Sequence, residues 1–344
     1  MIDLRTKRFI ASICSCGIVL LTSLHTDAAN FKFENVYPFP QKSFWTAMKW
    51  RWSREPAQWP ESRPLKADIS SKPKDSSLEP TVTWIGHSSF LLQADNKNIL
   101  FDPVYSDTVG PVSWLSPKRV VPPGLTLGHT PKIDAIFLSH DHFDHMDLPT
   151  LEYFALRDNP TVIAGLGSGE ILQDAGFSKI VELNWWDEKE LGDDFKTTFV
   201  PAQHWSTRSL LVRNERLWGG FYIVLGEKVY YFVGDTGYHP ELFKEIKNKV
   251  GSPDYSFIPV GAYAPREFMK DQHVDPAEAL KIHLDVGSKK SVGMHWGTFQ
   301  LSDEGIDAPC ETLLAEITKV DLNVQFDCME HGESRHIFKQ AQPN

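Results

Sequence analysis

At residues 140–145 the chain reads HDHFDH, directly after the apolar run IDAIFLS at 133–139. A continuously apolar stretch of that length reads as a strand buried on both faces. A loop leaving such a strand turns alternate residues toward one point, which gathers His140, His142, Asp144 and His145. Imidazole and carboxylate together suit zinc or another first-row divalent ion. Three further donors stand where other apolar runs stop: His204 after TFVPAQ, Asp235 in YFVGDTG and His295 in SVGMH. One closed site has no use for seven ligands. Two adjacent ions, about 3.5–4 Å apart with a shared carboxylate and room for water, use all of them, and that arrangement is catalytic.

The surrounding pattern is α/β. TVTWIG (81–86), SFLLQA (89–94) and NILFDPV (98–104) read as successive strands, the last two joined by the turn DNKN. Helical and strand-like stretches alternate from there to SVGMHWG without a sequence repeat. The chain has 344 residues, 41% of them hydrophobic, enough for a large core. A net charge of −10 argues against nucleic acid as a partner, because phosphate backbones are bound through Lys and Arg.

Three parts follow along the chain: an address at 1–29, an arm and linker at 30–80, and a catalytic domain at 81–344. Arg5, Lys7 and Arg8 precede an apolar run from Phe9 to Leu24, and small residues follow at Ala28 and Ala29. That is the order of a signal peptide, so export to a periplasm or cell envelope is expected, with an uncleaved membrane anchor as the alternative. Between 31 and 66, seven Lys or Arg face three Glu, and four of the eleven tryptophans fall there. Phe44, Met48 and Trp52 recur at helical spacing with Trp45 beside them. Trp next to cations suits a membrane interface, and an aromatic stripe equally suits packing on the main domain. GPVSWLSP at 110–117 is a second candidate for lipid contact. SSKPKDSSLEP at 70–80 reads as linker. Cys310 and Cys328 either form a bridge or stay as two inert thiols.

The quoted motifs, with MHWG at 294–297, resemble the metallo-β-lactamase fold superfamily. LNWWDE, PAQHWSTR, LWGGF, FVGDTGYHP, IPVGAYAPREFMKDQHVDP and EHGESRH narrow the resemblance to the N-acylphosphatidylethanolamine-hydrolysing phospholipase D family, over about residues 81–336. The resemblance implies a four-layer αββα sandwich with two metal ions, zinc by expectation, at one sheet edge. His140, His142 and His204 would hold the first, Asp144, His145 and His295 the second, and Asp235 would bridge them. Asp102 in FDPV matches an aspartate that orients ligand histidines, and His87 in WIGHSS sits in the matching first loop. His273 in DQHVDP matches a histidine near the site, able to donate a proton or hydrogen-bond a phosphate. Relatives of this family can pair as dimers.

The chemistry implied is hydrolysis of N-acylphosphatidylethanolamine at a membrane surface, giving N-acylethanolamine and phosphatidic acid. A hydroxide shared between two ions is the nucleophile, oriented by Asp144. Lactamases of the superfamily lack the bridging carboxylate, and its diiron oxygen-reducing members place Glu where His142 stands. A smaller phosphodiester or a lactone is the alternative substrate. A non-catalytic, lipid-binding envelope protein is the alternative of another class, and it has no use for an open dinuclear centre.

Overall fold

Alternation along the interior strands sorts their side chains between two cores. In β3 (Lys97–Phe101), Ile99 and Phe101 join one core and Leu100 the other; in β4 (Ala135–Leu138), Ala135 and Phe137 join the first, Ile136 and Leu138 the second. A strand presents opposite faces at a period of two, so a run apolar at every position has both faces covered. The coverings are a second sheet on one side and helices on the other. The computed structural model describes residues 33–40, 42–66, 79–209, 212–320 and 323–338. The signal segment expected at 1–29 lies outside these residues, as do 67–78 of the expected linker. No described helix is long and apolar enough to cross a membrane.

The first sheet runs in the order β14 (Ser334–His336), β1 (Thr81–Gly86), β2 (Ser89–Ala94), β3, β4, β5 (Thr161–Gly165), β6 (Ile180–Leu183). Its pairs are antiparallel as far as β3 and parallel from β3 to β6. The second sheet repeats that plan: β13 (Phe326–Asp327), β12 (Lys290–Met294), β11 (Tyr255–Pro259) and β10 (Lys228–Phe232) are parallel. β9 (Gly220–Leu225), β8 (Phe195–Val200) and β7 (Glu188–Gly192) continue it antiparallel. The sheets stack through Phe90, Phe101, Phe137, Phe221, Phe232 and Phe257, with Phe101 on Phe232 at 4.8 Å.

Helices close both outer faces, which completes a four-layer αββα sandwich. Leu151 and Phe154 of α2 (Leu148–Arg157) and Leu172 of α3 (Gly169–Asp174) cover the first sheet. Over the second lie α4 (Pro240–Val250), α6 (Pro276–Val286) and α7 (Ala308–Ile317), through residues such as Phe243, Ile282 and Leu313. A short helix, α5 (Arg266–Met269), precedes α6. Asp275 and Glu278 form a reciprocal capping box at the start of α6, and Gly287 ends it at φ +66°. Cys310 of α7 and Cys328 beyond β13 are joined in a disulfide, which decides between the two expectations for them.

The arm forms helix α1 (Phe44–Ser53), capped by Ser43, whose hydroxyl accepts from the Thr46 amide. One face packs: Trp50 stacks on Phe268 at 4.6 Å, and Arg54 pairs with Asp303 at 2.6 Å. The opposite face carries Trp45 and Trp52, 73% and 85% exposed. These two lie seven residues apart and therefore share a side of the helix. Of the stripe expected at helical spacing, Met48 is half-buried and Trp52 exposed.

Candidate metal centre

All the predicted donors sit on loops that leave strands at one edge of the sandwich. Asp102 follows β3, residues 139–147 follow β4, His204 lies four residues past β8, Asp235 follows β10, and His295 follows β12. These are the carboxyl ends of strands running the same way, where open α/β sheets place their ligands. His87, Asp102 and His295 have φ of +54°, +36° and +64°. Non-glycine residues in that left-handed region cost of order 1–3 kcal/mol each and cluster at functional sites. Gly234 leads into Asp235 at φ +70°, and a Cβ there would meet the Ser139 side chain at 2.9 Å.

Hydrogen bonds outside the centre fix which ring nitrogens face inward. Asp102 is fully buried and accepts from the Ser139 amide at 2.8 Å, the Ser139 hydroxyl at 2.6 Å and His145 Nδ1–H at 2.7 Å. The single Ser139 hydroxyl proton is used there, so Ser139 Oγ accepts from His140 Nδ1–H at 2.9 Å. His204 Nδ1–H donates to the Gln272 carbonyl at 2.9 Å. His140, His145 and His204 are thereby left with Nε2 lone pairs, the second contact that a ligating histidine needs. His87 Nε2–H donates to Asp144 Oδ2 at 3.0 Å and orients that carboxylate.

The inward atoms form two adjoining groups. His140 Nε2 and His204 Nε2 lie 2.9 and 3.2 Å from His142 Nδ1. Asp144 Oδ2 lies 3.5 Å from His145 Nε2 and 3.4 Å from His295 Nε2. Asp235 Oδ2 stands between the groups, at 3.0 Å from His295 Nε2, 3.3 Å from His145, 3.8 Å from His204 and 4.0 Å from His140. Asp235 Oδ1, His145 Nε2 and His295 Nε2 are buried without a hydrogen-bond partner. Convergent lone pairs and orphaned oxygen make a donor set that fits divalent cations. His273 Nδ1 is 3.8 Å from Asp235 Oδ2, with its ring edge-on to His204. Asp141, inside the motif, points away and pairs with Arg216 at 3.1 Å. Ser139 and Gln272 carry no ligand signature in the sequence, and only the position of Ser139 beside the motif hints at a role.

Burial pushes His87, His142, His204 and His273 down to about 3 and His140 well below the usual range. Burial also lowers His145 and His295, but Asp235 and Asp144 outweigh it. His145 is carried well above its ordinary value and His295 to about 9. Without a cation, protons occupy those two rings. The sign of the linkage then differs by group. The lowered histidines make the unfolded chain bind more protons, so stability falls as pH drops from 6.5 toward about 3. The raised pair stabilises below 6.5, and that contribution is lost as pH climbs toward about 9. The chelated protein is therefore expected to show a maximal urea midpoint near pH 6.5 and to weaken on both sides. Zinc, by replacing the protons on His145 and His295, is expected to abolish the alkaline decline. An alkaline limb that survives in the loaded protein would contradict this assignment.

A family described as a β-lactamase superfamily domain matches residues 97–296, which hold all seven donors and the four strands they follow. The chain belongs to the β-lactamase superfamily. Within that superfamily it is 36% identical over 229 residues to N-acyl-phosphatidylethanolamine-hydrolyzing phospholipase D 1 of Caenorhabditis elegans, covering 64% of each protein. It is 36% identical over 236 residues to the mitochondrial N-acyl-phosphatidylethanolamine-hydrolyzing phospholipase D of Saccharomyces cerevisiae, covering 67% of this chain and 50% of that protein. The chain thus spans between half and just under two thirds of the length of these curated relatives. A metallo hydrolase from the archaeon Ignicoccus hospitalis superposes with a TM-score of 0.56 at 21% identity, over 74% of this chain and 97% of that one. That likeness shows the metallo-β-lactamase fold. Family match and curated relatives together make the chain a metal-dependent hydrolase of the metallo-β-lactamase fold.

Proposed function

We propose that the chain is a metal-dependent phosphodiesterase that hydrolyses N-acylphosphatidylethanolamine to N-acylethanolamine and phosphatidic acid. The observation that carries the reading is Asp235 Oδ2, set 3.0–4.0 Å from four imidazole nitrogens drawn from both donor groups. A carboxylate so placed would serve two ions, which we take to be zinc. His140, His142 and His204 would hold one and Asp144, His145 and His295 the other. Such ions, when bound, lower the pKa of water and polarise a phosphoryl oxygen. The chain's own residues do the rest. Asp102 orients the His145 ring, His87 holds the Asp144 carboxylate, which would orient the nucleophile, and His273 offers a ring nitrogen beside Asp235. The similarity to the worm and yeast enzymes favours the lipid phosphodiester over a smaller phosphodiester or a lactone.

A lipid substrate calls for a membrane surface, in keeping with an exported, envelope-associated protein. Trp45 and Trp52 of α1 are joined by Trp114 and Leu115 of the second candidate segment, 77% and 56% exposed. Trp52 and Leu115 line one cleft of about 410 Å³ with Arg51 and Arg54, a pairing of rings and cations suited to headgroup depth.

Purified residues 30–344 given N-acylphosphatidylethanolamine vesicles are expected to release both products, to stop on chelation and to resume with zinc. A metal-loaded protein that releases neither product would move the substrate to a smaller phosphodiester or lactone. Trp45→Glu/Trp52→Glu is expected to lower turnover on vesicles by about tenfold or more while sparing detergent-dispersed substrate. Equal turnover on both would remove α1 as the lipid contact.

A further inference from the structure

His204 differs from the other first-group donors in how it is carried. His140 and His142 sit on the short loop between β4 and α2, and Ser139 braces His140 from behind. His204 lies beyond the end of β8, where no ladder pairs its backbone. A buried residue there has an amide and a carbonyl that both need partners. Asn35, from the arm and 169 residues away in sequence, supplies both. Its Oδ1 accepts from the His204 amide at 3.0 Å, and its Nδ2 donates to the His204 carbonyl at 2.8 Å. A carboxamide has one acceptor and one donor side by side, so it can replace a neighbouring strand for a single residue. A carboxylate has no donor, and a hydroxyl carries donor and acceptor on a single atom.

The carboxamide is itself fixed. Asn35 is buried, and its Oδ1 also accepts from Trp218 Nε1 at 3.2 Å. The segment around it is tied on both sides. The Phe33 amide donates to the Asn214 carbonyl at 3.1 Å, and Gln203 Nε2 donates to the Tyr37 carbonyl at 2.5 Å. Tyr37 stacks on His239 at 3.8 Å. At the far end of His204, Gln272 holds Nδ1. With backbone and ring each held by a separate segment, Nε2 has one direction left, toward His142.

We infer that Asn35 is a positioning residue for the metal ligand His204, and that residues 33–37 of the arm are therefore part of the metal centre. The inference rests on the two-ion reading above. Partners that orient a ligand typically contribute about 10–100-fold in metal affinity.

The test is competitive chelator titration with Zn²⁺, and the visible spectrum of the Co²⁺ form, on wild type, Asn35→Ala and Asn35→Asp. Asn35→Ala is expected to weaken one ion by about 10–100-fold and leave the other within about twofold, with the Co²⁺ bands of a single site altered. Asn35→Asp keeps the acceptor for the His204 and Trp218 N–H groups but sets an oxygen against the His204 carbonyl. It is expected to weaken the same ion, and it decides the question should Asn35→Ala fail to fold. Unchanged affinities and spectra in the folded variants would overturn the inference. So would equal weakening of both ions in step with a lower Tm of the chelated protein, the signature of a merely structural residue. A wild type that takes up only one ion would instead defeat the two-ion reading, and the same comparison on that ion would still judge Asn35.

Discussion

An Asp235→Asn protein is expected to hold no more than one divalent ion per chain and to turn over at least about 10³-fold more slowly than wild type. The carboxylate is the only acidic group lying within 4 Å of imidazoles from both donor groups among the described residues. Burial pushes its pKa up, but the charges of His145 and His295 outweigh that and hold it well below the usual carboxylate range. It therefore meets incoming cations ionised. An amide in its place offers one neutral oxygen, and its NH₂ group either donates to an imidazole lone pair that a cation would need or faces the cation itself. No compensating shift is open to the backbone, because Gly234 is packed against Gly219 and Ser139. The transition-state stabilisation attributed to bound metal is several kcal/mol, and each ~1.4 kcal/mol is a factor of ten. Metal analysis on the purified variant, alongside kcat/KM, checks both halves. Two ions retained with full activity would end the bridged-centre reading.

Much of this centre is legible in the sequence because its donors stand where apolar runs stop. AIFL ends before His140, KVYYF before Asp235 and KSVGM before His295, and a strand apolar on both faces announces itself without periodicity. What the pattern does not contain is which ring nitrogen faces the ions. His142 turns Nδ1 inward where His140, His145 and His204 turn Nε2, because Ser139, Asp102 and the Gln272 carbonyl hold the Nδ1 of those three. Asn35 is a plain asparagine in an arm, and only the folded chain sets it against His204. The edge strand β7, EKELG, has almost no β-preferring residue; its charges blunt an exposed edge and conceal the strand from a propensity reading. Strand β14 pairs with β1 across some 250 residues of chain, a distance over which local pattern is silent. On α1 the residues at helical spacing were legible but the buried side was not, since Trp50 and Trp52 differ only in what lies opposite them.

His273→Ala is expected to keep both ions and lose about 10²–10³-fold in kcat, the size of effect seen when one preorganised donor to a developing charge is removed. The ring is not needed in either proposed ligand set: its Nδ1 lies 3.8 Å from Asp235 Oδ2 and gathers with His204 and Asp235, and the ring packs on His204 and His295. The segment carrying it is held from the other side: Arg266 Nη1 donates to the His273 carbonyl at 2.7 Å, and the His273 amide donates to the Met269 carbonyl at 2.9 Å. Two roles were open, an acid that gives up a proton and a neutral donor of a hydrogen bond. Burial lowers the imidazole to about 3, so it stays neutral through the physiological range and an acid role there would find almost no protonated ring. A neutral N–H can still stabilise charge growing on a phosphoryl or leaving oxygen. His273→Asn, which keeps a donor but cannot ionise, is then expected to recover part of the lost rate without adding or removing a limb of the pH profile. Loss of metal in His273→Ala would place the ring among the ligands, and loss of an alkaline limb in His273→Asn would restore the acid.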